Sequence, residues 1–243
     1  MNEAFTRETL ADGRIRLADA RGSFTFERLR AGALLVTAAG MDRGQFGVAP
    51  LDEIRLEIGF GGGEHMIAQA EQHPRAGFIG VEPFVNGMAK ALAAIELKKL
   101  SNIRLHFDDA ASLLQWLPAA SLACVDLIYP DPWPKRRHWK RRFVQEESIS
   151  AIARILRPDG ELHFATDVPD YAAWTLKRVI QSPHFTWTAE RADDWRRAWP
   201  GFSGTRYEAK AKREGRAPCY LTFRSTHGGR RPDARRRTRQ ENA

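Results

Sequence analysis

Cysteine is scarce in this 243-residue chain: Cys124 and Cys219 are the only two, far apart and with no His or Cys at metal-ligand spacing. That excludes a disulfide framework and a cysteine-based zinc motif, and it fits a reducing compartment. Long apolar runs are missing as well, none approaching the roughly 20 residues that cross a bilayer. The first thirty residues carry Glu3, Glu8, Asp12, Asp19 and Glu27 and lack an apolar stretch, so no signal peptide and no membrane partner are expected. Acid is in deficit, with 30 Asp and Glu against 38 Lys and Arg, for a formal net charge of +8. That balance excludes an acidic disordered chain and points to a polyanionic partner. Hydrophobic residues make up 43%, enough to bury a real core in one domain. A cytoplasmic protein is expected, with a monomer favoured over a homodimer.

What is present alternates. Residues 53–58 form an apolar strand ending in a glycine cluster, and 64–72 follow with helical spacing. The pattern repeats as strand 78–82 and helix 84–100, then strand 103–107 and helix 113–117. It closes with strand 122–129, helix 141–156, strand 161–165 and helix 168–180. Strands alternating with helices predict right-handed βαβ units and an open, mostly parallel α/β sheet with helices on both faces. Two late runs, 185–188 and 219–223, have no long helix between them and are expected as an antiparallel edge pair. Residues 1–45 read as a loose, partly flexible arm and 46–225 as the domain. The Arg-rich stretch 226–243 reads as a disordered tail.

The glycine loop Glu57-Ile58-Gly59-Phe60-Gly61-Gly62-Gly63-Glu64 falls where the first sheet strand turns into its helix. Ligands of open α/β sheets bind beyond the carboxyl ends of the strands, so this is the expected site. A dinucleotide fingerprint needs a glycine at the position of Glu64, and a pyrophosphate disfavours a carboxylate there. Glycines flanked by acids instead suit a cationic ligand without phosphate, such as the sulfonium of S-adenosylmethionine. Glu82 ends the second strand at the spacing from which an acid reaches ribose hydroxyls. Asp109 ends the third, where a carboxylate can accept from an adenine amino group. Each also has a plainer reading, the loop as a structural turn and the acids as strand-end caps.

The fourth strand runs into Tyr129-Pro130-Asp131-Pro132-Trp133-Pro134-Lys135. Alternate prolines hold their neighbours extended, so Asp131 is presented on a stiff mount with Trp133 placed to stack on a planar base. Next come Arg136, Arg137, His138, Trp139, Lys140, Arg141 and Arg142. Residues 135–142 thus hold six permanent positive charges without an acid. Basic residues interleaved with an aromatic neutralise phosphates while the ring stacks. Asp167 is either a ligand group or the N-cap of the following helix, with Pro169 in its first turn. Thr205, Arg206, Tyr207 and Glu208 gather a hydroxyl, a guanidinium, a phenol and a carboxylate, and Glu208 is of a kind to accept from a guanine Watson–Crick edge.

Taken together, LEIGFGGGEH (56–65), IGVEP (79–83), DDA (108–110), YPDPWPKRRHWKRR (129–142), ATD (165–167) and GTRYEAKA (204–211) resemble the bacterial tRNA (guanine-N7-)-methyltransferases over about residues 50–225. The resemblance implies a Rossmann-like class I methyltransferase fold, with S-adenosyl-L-methionine as cofactor and tRNA as substrate. It implies that Glu57, Glu82, Asp109 and Asp131 line the cofactor site with Gly59, Gly61 and Gly63, and that Asp131 is the catalytic acid. By the same likeness Lys135, Asp167 and Thr205 to Glu208 bind substrate and Arg137 to Arg142 contact RNA. The implied product is 7-methylguanosine at tRNA position 46. Transfer to N7 requires no prior deprotonation, and no metal is expected, the seven histidines forming no cluster in sequence. Three rivals stand beside it: a dehydrogenase on the same sheet edge, a non-catalytic RNA-binding module, and a methyltransferase acting on an exocyclic amino group.

Overall fold

The computed structural model describes residues 51–226 and, before them, the backbone of five short strands. These are β1 (Thr6–Thr9), β2 (Arg14–Asp19), β3 (Gly22–Glu27), β4 (Val36–Thr37) and β5 (Gly40–Met41). The first three form an antiparallel meander in the region expected to be a loose arm. The Arg-rich stretch from residue 227 lies outside the described residues.

The remainder is one seven-stranded sheet in the order β11-β12-β10-β9-β6-β7-β8. Its parallel strands are β6 (Glu53–Ile58), β7 (Ala76–Val81), β8 (Ile103–His106), β9 (Leu122–Ile128) and β10 (Leu156–Thr166). The edge pair is β11 (Phe185–Trp187) and β12 (Cys219–Ser225), with β12 antiparallel to both β10 and β11. The crossovers are α1 (Glu64–Gln72), α2 (Val85–Lys98), α3 (Ala110–Trp116) and α4 (Glu146–Ile155). After β10 come α5 (Pro169–Gln181), the short α6 (Asp193–Arg196) and α7 (Arg206–Arg213).

Every residue of β7 and β9 is buried. Strands covered on both faces are nearly continuously apolar because each side chain meets a helix layer, with Asp126 in β9 as the exception. One core joins Leu56, Ile79, Val125, Leu127, Leu162 and Phe164 to α3, α4 and α5. A second joins Phe60, Met66, Phe78, Met88 and Leu105 between the sheet and α1 and α2. Full burial of each such side chain contributes about 1.5–3 kcal/mol.

Two expectations need correction. The helix expected over 141–156 is a 3₁₀ turn, Arg136–Arg141, followed by α4 from Glu146. The break is fixed at Gln145, whose backbone N–H donates to Ser148 Oγ at 3.0 Å. Its side-chain amide donates to the carbonyls of Trp139 and Arg142. The second correction is α7, which occupies a stretch read as a loop. Its sequence RYEAKAKR buries only Glu208 and Ala211, so it has no apolar stripe by which periodicity finds helices.

The start of α2 packs directly on the glycine loop. A Cβ at Gly87 would lie 2.3 Å from the Gly61 carbonyl oxygen. Gly87→Ala is therefore expected to cost about 1–3 kcal/mol through overpacking, a fall of several degrees in Tm. Thermal unfolding checks this, and an unchanged Tm would mean that loop and helix do not depend on that approach.

Candidate active site

In strand order the connections run β6 to β7 to β8 on one side and then β9 to β10 on the other, so the switch point lies between β6 and β9. Ligands of open sheets bind in the crevice at that point, where the loops after β6, β7 and β9 bring Gly61, Glu82 and Asp131 together. The loop after β6 turns through Gly59, Gly61 and Gly63 at φ +70°, +58° and +80°, a left-handed path that side chains with a Cβ resist.

Glu82, just past β7, holds this loop from below. Its Oε2 accepts from the Gly61 N–H at 2.7 Å and its Oε1 from the Phe84 N–H at 3.0 Å. Burial raises its pKa, the two N–H groups lower it, and nearby Asp131 and Arg206 pull in opposite directions. Glu57 lies deeper, its Oε2 2.9 Å from His65 Nδ1 with both groups buried. Burial pushes the Glu57 carboxyl up against the opposing effect of His65. Asp109 is exposed and caps α3, accepting from the Ala111 N–H at 2.7 Å.

The loop after β9 is strained. Tyr129 and Trp133 take φ of +51° and +41°, each at a cost of about 1–2 kcal/mol for a residue with a Cβ. Between them Asp131 is exposed at the crevice. Arg141 lies over the Trp133 ring at 4.6 Å and His138 meets its edge at 5.8 Å. Lys135, Arg137, Lys140 and Arg141 are exposed, with His138 and Trp139 half-buried beside them. Arg142 departs from the expected RNA-facing run: it is 1% exposed, and its Nε donates inward to the Pro132 carbonyl at 2.8 Å. A guanidinium so enclosed does not present itself to a phosphate.

The facing wall comes from α7. Thr205 caps it, its Oγ1 accepting from the Glu208 N–H at 3.1 Å. Arg206 and Tyr207 lie on the glycine loop, 3.5 and 3.6 Å from where a Cβ on Gly61 would be. Glu208 is buried, with Oε1 accepting from the Tyr220 hydroxyl and from Lys212 Nζ, each at 2.5 Å. Of the two readings of Asp167, the helix cap does not hold. Val168 is the N-cap of α5, and Asp167 accepts from Arg216 Nε at 2.5 Å. His65, Arg216 and Tyr220 were not singled out from sequence. Arg216 and its partner lie 49 positions apart, and no local signal marks such a pair.

Beneath the crevice the β9–β10 register sets His163 opposite Asp126. Cys124, Asp126 and His163 offer three buried donor atoms within 4.8 Å of one another, so Cys124 does have a histidine neighbour that spacing along the chain conceals. His163 Nδ1 is 2.8 Å from Asp126 Oδ1 and 3.3 Å from the Cys124 sulfur, while its Nε2 is 3.2 Å from Glu161 Oε2. Trp199 stacks on the ring at 4.3 Å. Burial alone would lower the His163 pKa, but the hydrogen-bonded Asp126 and Glu161 carboxylates outweigh it and hold it above 6.5. Cys124, pushed up to about 11 by burial, stays a neutral thiol near neutral pH, so the carboxylates carry the attraction. Asp126 is held below its ordinary value, burial being outweighed by His163.

A family model described as "Putative methyltransferase" matches residues 52–221. A tRNA (guanine-N(7)-)-methyltransferase of Rhodopseudomonas palustris (strain HaA2) is 60% identical over 175 residues, 72% of this chain and 68% of its own. One from Azorhizobium caulinodans is 59% identical over 174 residues, 72% of this chain and 76% of its own. Among solved structures, the 16S rRNA methyltransferase KamB aligns with TM-score 0.53 and 16% identity, covering 78% of this chain and 94% of its own. That likeness concerns the fold alone.

The Asp126–His163 pair gives a pH signature. His163 has a raised pKa, so its contribution is complete below about pH 6.5 and is lost as pH rises through the folded value. Asp126 has a lowered one, so its contribution is complete above its unfolded value of about 4 and is lost as pH falls. The wild type is thus expected to lose stability, relative to Asp126→Asn/His163→Gln, on going from pH 6.5 to pH 9. The slope should not exceed about 1.4 kcal/mol per pH unit. Urea unfolding at the two pH values measures this, and parallel pH profiles would show that the pair carries no charge.

Proposed function

The chain belongs to the bacterial tRNA (guanine-N(7)-)-methyltransferase family, and on that premise we propose that it methylates N7 of guanine 46 in the tRNA variable loop, using S-adenosyl-L-methionine. The observation that carries the reading is the meeting, at one switch point, of an acid-flanked glycine loop, an exposed carboxylate and a basic turn.

The crevice suits the cofactor's chemistry. Gly59, Gly61 and Gly63 let it approach the backbone, and Glu64 at the start of α1 favours a cation over a phosphate there. Glu82 sits where ribose hydroxyls can reach the lone pairs that its two backbone bonds leave open. Glu57 and Asp109 line the ends of the same site. Bound S-adenosylmethionine supplies an electrophilic methyl on a positively charged sulfur.

The chain's own residues then align and stabilise. Guanine N7 already has a lone pair, so no base has to remove a proton first. As the base gains positive charge, the Asp131 carboxylate stabilises it electrostatically. The stiff proline mount supports this by keeping that carboxylate in one place. Trp133 and Tyr207 offer faces for a splayed base, while Thr205 to Glu208 and Asp167 form the opposite wall. Lys135, Arg137, Lys140 and Arg141 with His138 and Trp139 hold backbone phosphates. The reading takes a monomer in the bacterial cytoplasm as the working unit.

Labelled S-adenosylmethionine, unmodified tRNA and nucleoside analysis test the reaction directly. Asp131→Asn is expected to lower the single-turnover rate about a hundredfold or more, and a near-normal rate would remove Asp131 from the transfer. For the cofactor, Glu82→Gln is expected to weaken S-adenosylmethionine binding by about 1.5–3 kcal/mol. Calorimetry reads that loss, and unchanged affinity would leave Glu82 only its role under the glycine loop.

A further inference from the structure

The basic run holds one arginine whose surroundings do not match RNA contact. Arg142 is 1% exposed, and its guanidinium carbon stands 4.9 Å from the ring centres of Trp139, Tyr171 and Trp174. Nε donates to the Pro132 carbonyl and Nη2 is ion-paired with Asp170 in the first turn of α5. Nη1 has no hydrogen-bond partner among the described residues, as expected for a guanidinium enclosed by aromatic faces. A phosphate would have to displace this whole box to reach the charge.

The Pro132 carbonyl belongs to the residue that directly follows Asp131 in the chain. On either side of it, Tyr129 and Trp133 are held at positive φ, conformations that persist only where the surroundings fix them. We infer that Arg142 is a positioning residue for Asp131: the aromatic box fixes the guanidinium, and its planar fork ties the loop after β9 to α5. A lysine ammonium on its flexible stem does not reproduce that fork. The inference rests on Asp131 being the transfer-site carboxylate, and it separates the basic run into an exposed part that binds phosphate and a buried member that aims the loop.

The test compares Arg142→Lys with Arg141→Ala in single-turnover methylation at saturating tRNA and in tRNA binding at several salt concentrations. Arg142→Lys is expected to slow transfer about tenfold to a hundredfold, with tRNA Kd and its salt slope within about twofold of wild type. Arg141→Ala is expected to raise Kd and reduce the slope of log K against log salt by about 0.7–0.9. If Arg142→Lys instead shifts Kd and slope as Arg141→Ala does while the saturated rate stays normal, Arg142 is a phosphate ligand and the inference falls. Asp170→Asn repeats the test from the half-exposed partner, where loss of fold is not expected. It should slow transfer about threefold or more without changing tRNA affinity, and a wild-type rate there overturns the inference. A normal rate in Asp131→Asn would overturn the underlying reading of the site. A slow Asp131→Asn beside normal Arg142→Lys and Asp170→Asn would overturn only the positioning role.

Discussion

The backbone ladder between β6 and β9, from Arg55 opposite Cys124 to Ile58 opposite Leu127, joins two halves of the sheet that the chain builds separately. β6, β7 and β8 are laid down outward in one direction, then the chain returns to place β9 against the exposed side of β6 and continues to β10. Parallel neighbours demand crossovers, so this return leaves the loops after β6 and β9 diverging above the same seam. The crevice between them is a consequence of the register. The glycine turn and the Asp131 loop face each other only because these strands are adjacent.

The same registers place charge inside the protein. Along one face, Glu57, Asp126 and His163 stand on three neighbouring strands, with His65 reaching in from α1. A buried charge without a partner is strongly destabilising, and here each has one: Glu57 with His65, Asp126 with His163. Trp199 and Phe202 cover the histidines from the segment leading to α7. The segment is held by Gln69 of α1, which donates to the Gly201 carbonyl and to Ser203 Oγ. The polar layer under the crevice thereby fixes the approach to α7, and α7 carries Arg206 and Tyr207 onto the glycine loop.

Rigidity is concentrated where orientation matters. The Asp131 loop combines alternate prolines with two left-handed residues, and Arg142 fastens its middle. The neighbouring 3₁₀ turn holds its Lys and Arg side chains outward with little burial, as suits groups that follow a flexible polyanion. On the proposed function, a stiff carboxylate beside exposed cations divides the work between alignment of the reacting atoms and capture of the RNA.

Hydrophobic runs and their breaks determined much from the sequence alone. The alternation of strands and helices, the predominantly apolar β9 and the closing antiparallel pair were legible because burial on one or two faces imposes a period on the chain. The position of the glycine loop, of Glu82 and of the Asp131 loop at strand ends was legible too, since each is written within a few adjacent residues. Tertiary structure alone decided the rest. It sent Arg142 inward while its neighbours stayed exposed, and set Asp167 against Arg216 rather than over a helix end. It tied Glu208 to Tyr220 and put His163 beside Cys124 and Asp126. Each of these outcomes depends on which strand, helix or loop lies alongside, and local composition carries no record of a neighbour that arrives 10 to 49 positions later.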